Sequence, residues 1–265
     1  MPVPRAFRLS ASFRRAALYT GVIALCFALA AAVGNTRILS VSGTPRDLPI
    51  YSVERPNKVV SLTFDAAWGN EDTEALIEIL GRYGVRATFF VVGEWAERYP
   101  ESVRALHDAG HEVMNHSDTH PHMTKLSRAE MLAQVSACDD KVEALTGVRP
   151  ILFRPPYGDY DNALVGAMRD SGHYTIQWDV DSLDWKDPPP EAIASRVLER
   201  AREGSIILFH NAAKNTPAAL PSVIEGLIAR DHEGRQISAP MSAGSSSDGG
   251  KSPSDTGGSS DGGKS

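Results

Sequence analysis

Five apolar runs of this 265-residue chain each end on a residue able to carry a charge or a proton. These are Asp65, the pair His116 and His120, Arg154, the cluster Asp179, Asp181 and Asp184, and His210. In a parallel strand–helix barrel the carboxyl ends of the strands open on one face, so residues this far apart in sequence can line one cleft. A carboxylate base, an imidazole acid and two further imidazoles able to hold a cation are the parts that a hydrolytic reaction needs.

The sharpest spacing is in His116-Ser117-Asp118-Thr119-His120. On one helical turn positions i and i+4 face the same way, so the spacing predicts two imidazoles on one divalent cation. Taken alone, the segment reads equally as a surface turn with chance histidines. His122 follows Pro121, which bends the backbone and makes that imidazole a poorer ligand.

Asp65 closes the buried-strand pattern Ser61-Leu62-Thr63-Phe64. Burial is expected to lift its pKa toward working pH and so suit it to take a proton from a cation-activated water. Its plainer role is a cap on the next turn. Arg154-Pro155-Pro156-Tyr157-Gly158 is a stiff loop in which Arg154 could orient Asp65 and the Tyr157 backbone N–H could face a developing oxyanion. A rigid turn with a surface arginine is the alternative. Between Trp178 and Trp185 stand three carboxylates, a setting suited to a sugar face, and one Asp there could hold a histidine protonated. His210 ends Ile206-Ile207-Leu208-Phe209 as a general acid on a rigid strand would, or as a buried structural histidine would.

The elements that must position these residues begin at Lys58, where short β-type runs alternate with amphipathic helices, the pattern of a parallel sheet in an α/β domain. Strands are predicted at 59–64, 87–92, 112–114, 151–153, 174–178 and 206–209. A weaker closing strand is read at 235–238. One helix is expected over 74–83 with Gly84 as its stop. Another starts at Ser127, where Glu130 three residues on makes a capping box, and runs to Gly147. Six units favour a barrel, although periodicity does not separate a closed sheet from an open one.

Outside the 58–239 domain the chain changes character. Arginines 5, 8, 14 and 15 precede an uncharged stretch, 16–33, long enough for a signal anchor. The small-residue sites Ala28-Leu29-Ala30 and Ala30-Ala31-Ala32 keep a cleaved signal peptide open within 1–34. The flanking arginines place the body outside the cytoplasm, anchored in the membrane through that helix or secreted. Residues 35–57 read as a proline-punctuated link. Residues 240–265, rich in Ser, Gly, Asp and Lys, have little to bury and are expected to be disordered. A formal charge of -6 with no basic stripe excludes nucleic acid as a partner. Cys26 and Cys138 lie in apolar settings and read as small hydrophobes, with no disulfide or thiolate site between them.

Thr63-Phe64-Asp65, His116 to His120, Arg154 to Gly158, Asp181-Ser182-Leu183-Asp184-Trp185 and Leu208-Phe209-His210 occur in the order of the motifs of the polysaccharide deacetylase family. This is carbohydrate esterase family 4, the NodB homology domain, which the chain resembles over 58–229. Trp68-Gly69 and Gln177-Trp178 resemble most closely the branch named for a sporulation deacetylase. The resemblance implies a deformed, TIM-like (β/α) barrel that removes N-acetyl or O-acetyl groups from an acetylated glycan polymer such as peptidoglycan. It implies His116 and His120 as ligands of a divalent metal, zinc or else cobalt or manganese. It also implies Asp65 as general base, Arg154 as its positioner, and Asp184 as support for the acid His210, with Tyr157, Trp185 and Leu208 lining the substrate pocket. The family's first motif has a second Asp as a metal ligand, and this chain has Ala66 there. Asp118, Glu71 and Asp72 are the nearby carboxylates that could replace it. Without replacement, weak metal retention and a glycan-binding or assembly role on the same scaffold stay open.

Overall fold

The computed structural model describes residues 18–25, 46–53 and 59–230. Seven parallel strands form one sheet in the order β5-β4-β3-β2-β1-β7-β6. They are β1 (Ser61–Ala66), β2 (Thr88–Val91), β3 (Glu112–Asn115), β4 (Leu152–Phe153), β5 (Tyr174–Thr175), β6 (Val180–Asp181) and β7 (Ile206–His210). The helices are α1 (Thr73–Arg82), α2 (Gly93–Arg98), α3 (Pro100–Asp108), α4 (Arg128–Thr146), α5 (Asn162–Asp170), α6 (Pro190–Arg200) and α7 (Thr216–Arg230). The alternation expected from sequence is therefore present, with one strand more than the six predicted. Strand β6 is only two residues long and ends on a carboxylate, too short to show a period.

Side chains on the central strands alternate between two apolar clusters, as a period of two requires. Leu62, Phe64, Ala66, Phe89, Val91, Val113, Ile207 and Phe209 face the helices. Phe90, Met114, Leu152, Ile176 and Ile206 fill the inner side. Phe64 stacks on Phe89 at 4.8 Å and on Phe209 at 5.4 Å between ring centroids, and these three are register partners across β2, β1 and β7. A one-residue slip of β1 would turn Phe64 inward and Asp65 into the helix layer, so this aromatic row fixes where Asp65 points.

The long helix α4 starts as read from sequence: the Ser127 side chain accepts from Glu130 N and Glu130 reaches back to Ser127 N, while Gly147 ends it with φ 73°. Cys138 is buried in it, and burial pushes its thiol up. The sheet is open between β5 and β6, and residues 50–53 bridge the opening. Ile50 pairs with Ile176, Ser52 with Ser205, and Val53 N donates to Gly204 O at 2.9 Å. Of the expected anchor only 18–25 are described, as helix, and no helix among the described residues is long and apolar enough to cross a membrane. The 235–238 strand and the 240–265 tail lie outside the described residues.

Gly204 has φ +78°, and a Cβ there would run into Val53 O. Gly204→Ala is therefore expected to loosen the bridging segment and to destabilise the domain by about 1–3 kcal/mol, read from the midpoint of chemical denaturation.

Candidate active site

Parallel register assembles the site. Asp65 and His210 are directly paired on β1 and β7. On the other side, His116 N donates to Val91 O at the end of β2, and Arg154 N donates to Asn115 O at the end of β3. The strand ends thus bring Asp65, His116, His120, Tyr157, Trp185, Leu208 and His210 to one cleft of about 700 Å³, with Trp68, Trp178 and Asn211 among its walls. Arg154 and Asp184 stand behind it, both with 0% of their surface exposed.

Asp65 is held by Arg154, whose Nη1 donates to Oδ1 at 2.8 Å. Burial alone would raise the Asp65 pKa, but the Arg154 guanidinium, helped by His210, outweighs it and holds the carboxyl below its usual range. The expectation of a raised base pKa is therefore corrected. A cation locked against the carboxylate keeps it ionised.

The histidine pair is also built differently from the helical turn its spacing suggests. Residues 116–121 are loop, and Ser117 (φ 69°) and His120 (φ 58°) are left-handed. The Asn115 side chain makes this bend: its Oδ1 accepts Ser117 N at 2.8 Å while its Nδ2 donates to Val135 O and to Asp139 Oδ1 at 2.8 and 2.7 Å. Ser117 Oγ then accepts His120 N at 3.1 Å. The result still brings the rings of His116 and His120 to 5.0 Å between centroids, whereas His122 stacks on Tyr157 at 4.1 Å.

His116 Nδ1 lies 2.8 Å from Arg154 O. A carbonyl only accepts, so Nδ1 carries the proton and Nε2 presents its lone pair, 3.5 Å from Asp65 Oδ2. Burial lowers the pKa of His116, and burial together with His116 lowers that of His120 to about 4. Two neutral imidazoles, one aimed by a backbone carbonyl, fit a divalent cation. No third ligand joins them: the described residues contain no group of three or more His, Cys, Asp or Glu able to hold a metal ion. Asp118 Oδ1 is bound to Lys141 Nζ at 2.8 Å, and Asp72 Oδ2 accepts Ala212 N at 2.8 Å. Glu71 folds over Gly69. Ala66, 1% exposed, continues the helix-facing register of β1.

His210 is the opposite electrostatic case. Burial would lower its pKa, but the Asp184 carboxylate, 2.7 Å from Nδ1, outweighs burial and holds it above the usual range. Asp184 Oδ2 also accepts His210 N and Thr216 Oγ1, so the carboxylate is fixed from three directions. A protonated imidazole on an immobile carboxylate is a proton donor aimed by its other nitrogen.

Asn211 was not anticipated. Its Oδ1 accepts Ala67 N and its Nδ2 donates to Trp68 O and Gly69 O, tying the loop after β7 to the loop after β1. The available signal was position: a polar residue directly after an apolar strand, as Asn115 is before His116.

Because the folded pKa of His210 is raised, the His210–Asp184 pair stabilises the protein fully below about pH 6.5 and less as pH rises through the higher folded value. In Asp184→Asn only the weaker influence of Asp65 and Asp181 still opposes burial. Imidazole NMR titration should then show the His210 pKa falling, and denaturation midpoints should lose their decline toward alkaline pH.

The Polysaccharide deacetylase family model matches residues 52–176. The peptidoglycan-N-acetylmuramic acid deacetylase PdaC of Bacillus subtilis is 38% identical over 181 residues, 68% of this chain and 38% of that protein. A chitooligosaccharide deacetylase of Azorhizobium caulinodans is 33% identical over 63% of this chain and 80% of its own length. A carbohydrate esterase family 4 pseudoenzyme from Bacillus anthracis superposes with a TM-score of 0.70 at 35% identity, covering 74% of this chain and 68% of that one. The chain spans about half or less of several of its curated relatives, 51% of one Bacillus subtilis protein and 38% of PdaC. From the strand-end residues, the seven-stranded parallel sheet and these likenesses together, the chain is a member of the polysaccharide deacetylase family.

Proposed function

We propose that this protein hydrolyses acetyl groups from a cell-wall glycan, N-acetyl or O-acetyl groups of peptidoglycan in particular, outside the cytoplasmic membrane. The observation that carries the reading is geometric: one cleft holds Asp65, gripped by Arg154 at 2.8 Å and 3.5 Å from His116 Nε2, together with His210, whose Nδ1 lies 2.7 Å from the Asp184 carboxylate. The activities named for PdaC and for the Azorhizobium relative supply the substrate class. The N-terminal arginines and apolar run supply the address, anchored or cleaved.

His116 and His120 would hold a divalent cation, zinc or alternatively cobalt or manganese, which when bound would polarise the acetyl carbonyl and acidify a water. Asp65 accepts a proton as that water adds to the carbonyl carbon. The Tyr157 N–H serves the oxyanion. Its residue is left-handed at φ 62°, and no hydrogen bond from that N–H to a described residue competes with the role. The C–N bond then breaks, and His210 passes its Nε2 proton to the leaving amine, yielding acetate and a free amino sugar. Trp185 and Leu208 shape the acetyl-binding wall.

Ala66 favours a second reading, a catalytically impaired protein that binds glycan or helps assemble the wall. Two imidazoles without a third protein ligand retain metal weakly. One structural relative is itself described as a pseudoenzyme.

The full chain incubated with acetylated peptidoglycan fragments and added Zn²⁺, Co²⁺ or Mn²⁺ is expected to release acetate. Asp65→Asn and His210→Ala should each slow release by about 10²–10⁴-fold. Failure to release acetate with any of the metals, combined with glycan binding that ignores chelator, would establish the second reading instead.

A further inference from the structure

Asn115, which makes the bend between the two imidazoles, is itself aimed from behind. It is fully buried at the end of β3, and its amide nitrogen is turned toward α4. There Val135 O and Asp139 Oδ1 each accept from Nδ2, at 2.8 and 2.7 Å. A carbonyl and a carboxylate only accept, so the amide cannot be reversed: Nδ2 faces the helix and Oδ1 is left for Ser117 N.

Asp139 is 1% exposed and shares the buried face of α4 with Val135, Cys138 and Val142. A carboxylate in that company is costly unless it is paired. Its second oxygen, Oδ2, meets His173 Nε2 at 3.0 Å and Arg149 Nη2 at 3.6 Å; His173 directly precedes β5, and Arg149 follows α4. A chain of polar groups thus runs from the half-exposed Arg149 through a buried carboxylate and a buried amide to the left-handed backbone of Ser117 and His120. An apolar side chain at 139 would hold α4 against the sheet equally well, so packing does not account for a charge there.

We propose that Asp139 is a positioning residue for the cation site, acting through Asn115 on the bend that brings His116 and His120 together. Without it one Nδ2 hydrogen has no partner, and the amide is free to rotate and set its nitrogen against Ser117 N. Two donors then face each other, and the left-handed turn loses the bond that holds it. The inference rests on His116 and His120 being the cation ligands, as proposed above, and not on turnover.

Asp139→Leu keeps the volume and removes the acceptor, whereas Asp139→Asn keeps an acceptor in its amide oxygen. In Asp139→Leu, hydrogen exchange of the Ser117 and His120 amides, read by NMR on the metal-free full chain, is expected to quicken by about 10–100-fold relative to Phe64 in β1 and Leu208 in β7. Affinity for Zn²⁺ or Co²⁺, read by calorimetry, is expected to fall about tenfold or more. Asp139→Asn should recover most of both. Unchanged exchange at 117 and 120 overturns the proposal, as does equal quickening in β1 and β7, the mark of a purely structural tie, or an asparagine variant that behaves like the leucine one. If the wild type binds neither metal, the cation reading fails by itself, and exchange alone decides whether Asp139 positions the bend. Where the wild type does bind, unchanged affinity in Asp139→Leu also overturns the proposal. Thermal melting checks the fold of both variants, and if Asp139→Leu does not fold, Asp139→Ser, too short to reach Asn115, is read in its place.

Discussion

The buried pair of Arg154 and Asp65 is the interaction on which the rest of the site depends. Arg154 sits over the Phe90 ring at 4.1 Å and beneath Trp178 at 5.6 Å, and its Nη2 donates to Gln177 O. Its backbone N–H ties β4 to β3 and its carbonyl sets the tautomer of His116. One residue therefore fixes the charge of the base, the aim of an imidazole and the spacing of two strands. Removing one member of such a pair commonly costs about 3–5 kcal/mol, because the other is left charged in the interior. A lysine could not substitute, since only the planar fork can reach a carboxylate and a carbonyl at once while lying flat against a ring.

Around this pair the backbone is strained in a patterned way. The left-handed residues other than glycine among those described are Ser117, His120, Tyr157, Leu183, Asp187 and Ala212, and every one lies in a loop at the carboxyl end of a strand. Each conformation costs on the order of 1 kcal/mol or more. Side chains hold four of them by the backbone N–H: Asn115 for Ser117, Ser117 for His120, Asp181 for Leu183 and Asp72 for Ala212. Burial pushes the Asp72 carboxyl up to about 6, a further sign that this mouth is held together by polar groups in unfavourable places. Among the described residues no β-strand or α-helix holds a left-handed residue other than glycine, and the cohesion of those elements maintains the strained mouth.

Much of this was legible in the sequence because burial leaves a simple mark. Buried strands read as apolar runs, and the residues that end them, Asp65, Arg154 and His210, are where the fold needs polar groups to meet solvent. The loop geometry was not legible. The spacing of His116 and His120 is the helical spacing, yet the pair is brought together by a bend that depends on Asn115, a residue without a periodic signature. The Arg154–Asp65 pairing was legible, but the balance between burial and the guanidinium was not, because it turns on a separation of 2.8 Å that sequence does not carry. Whether the barrel closes was likewise hidden, because the residues that fill its gap, 50–53, come before the first strand and have no alternation to announce them.

That bridging segment bears on how the fold can be divided. A fragment begun at Lys58, where the strand–helix alternation starts, would expose the outer backbone of β5 at Thr175 and the turn before β7 at Gly204, both now hydrogen-bonded to residues 50 and 53. Bare strand margins recruit other copies of the same chain. The smallest piece able to remain a monomer therefore begins upstream of Ile50, and a tether attached ahead of that point would pull directly on the barrel wall.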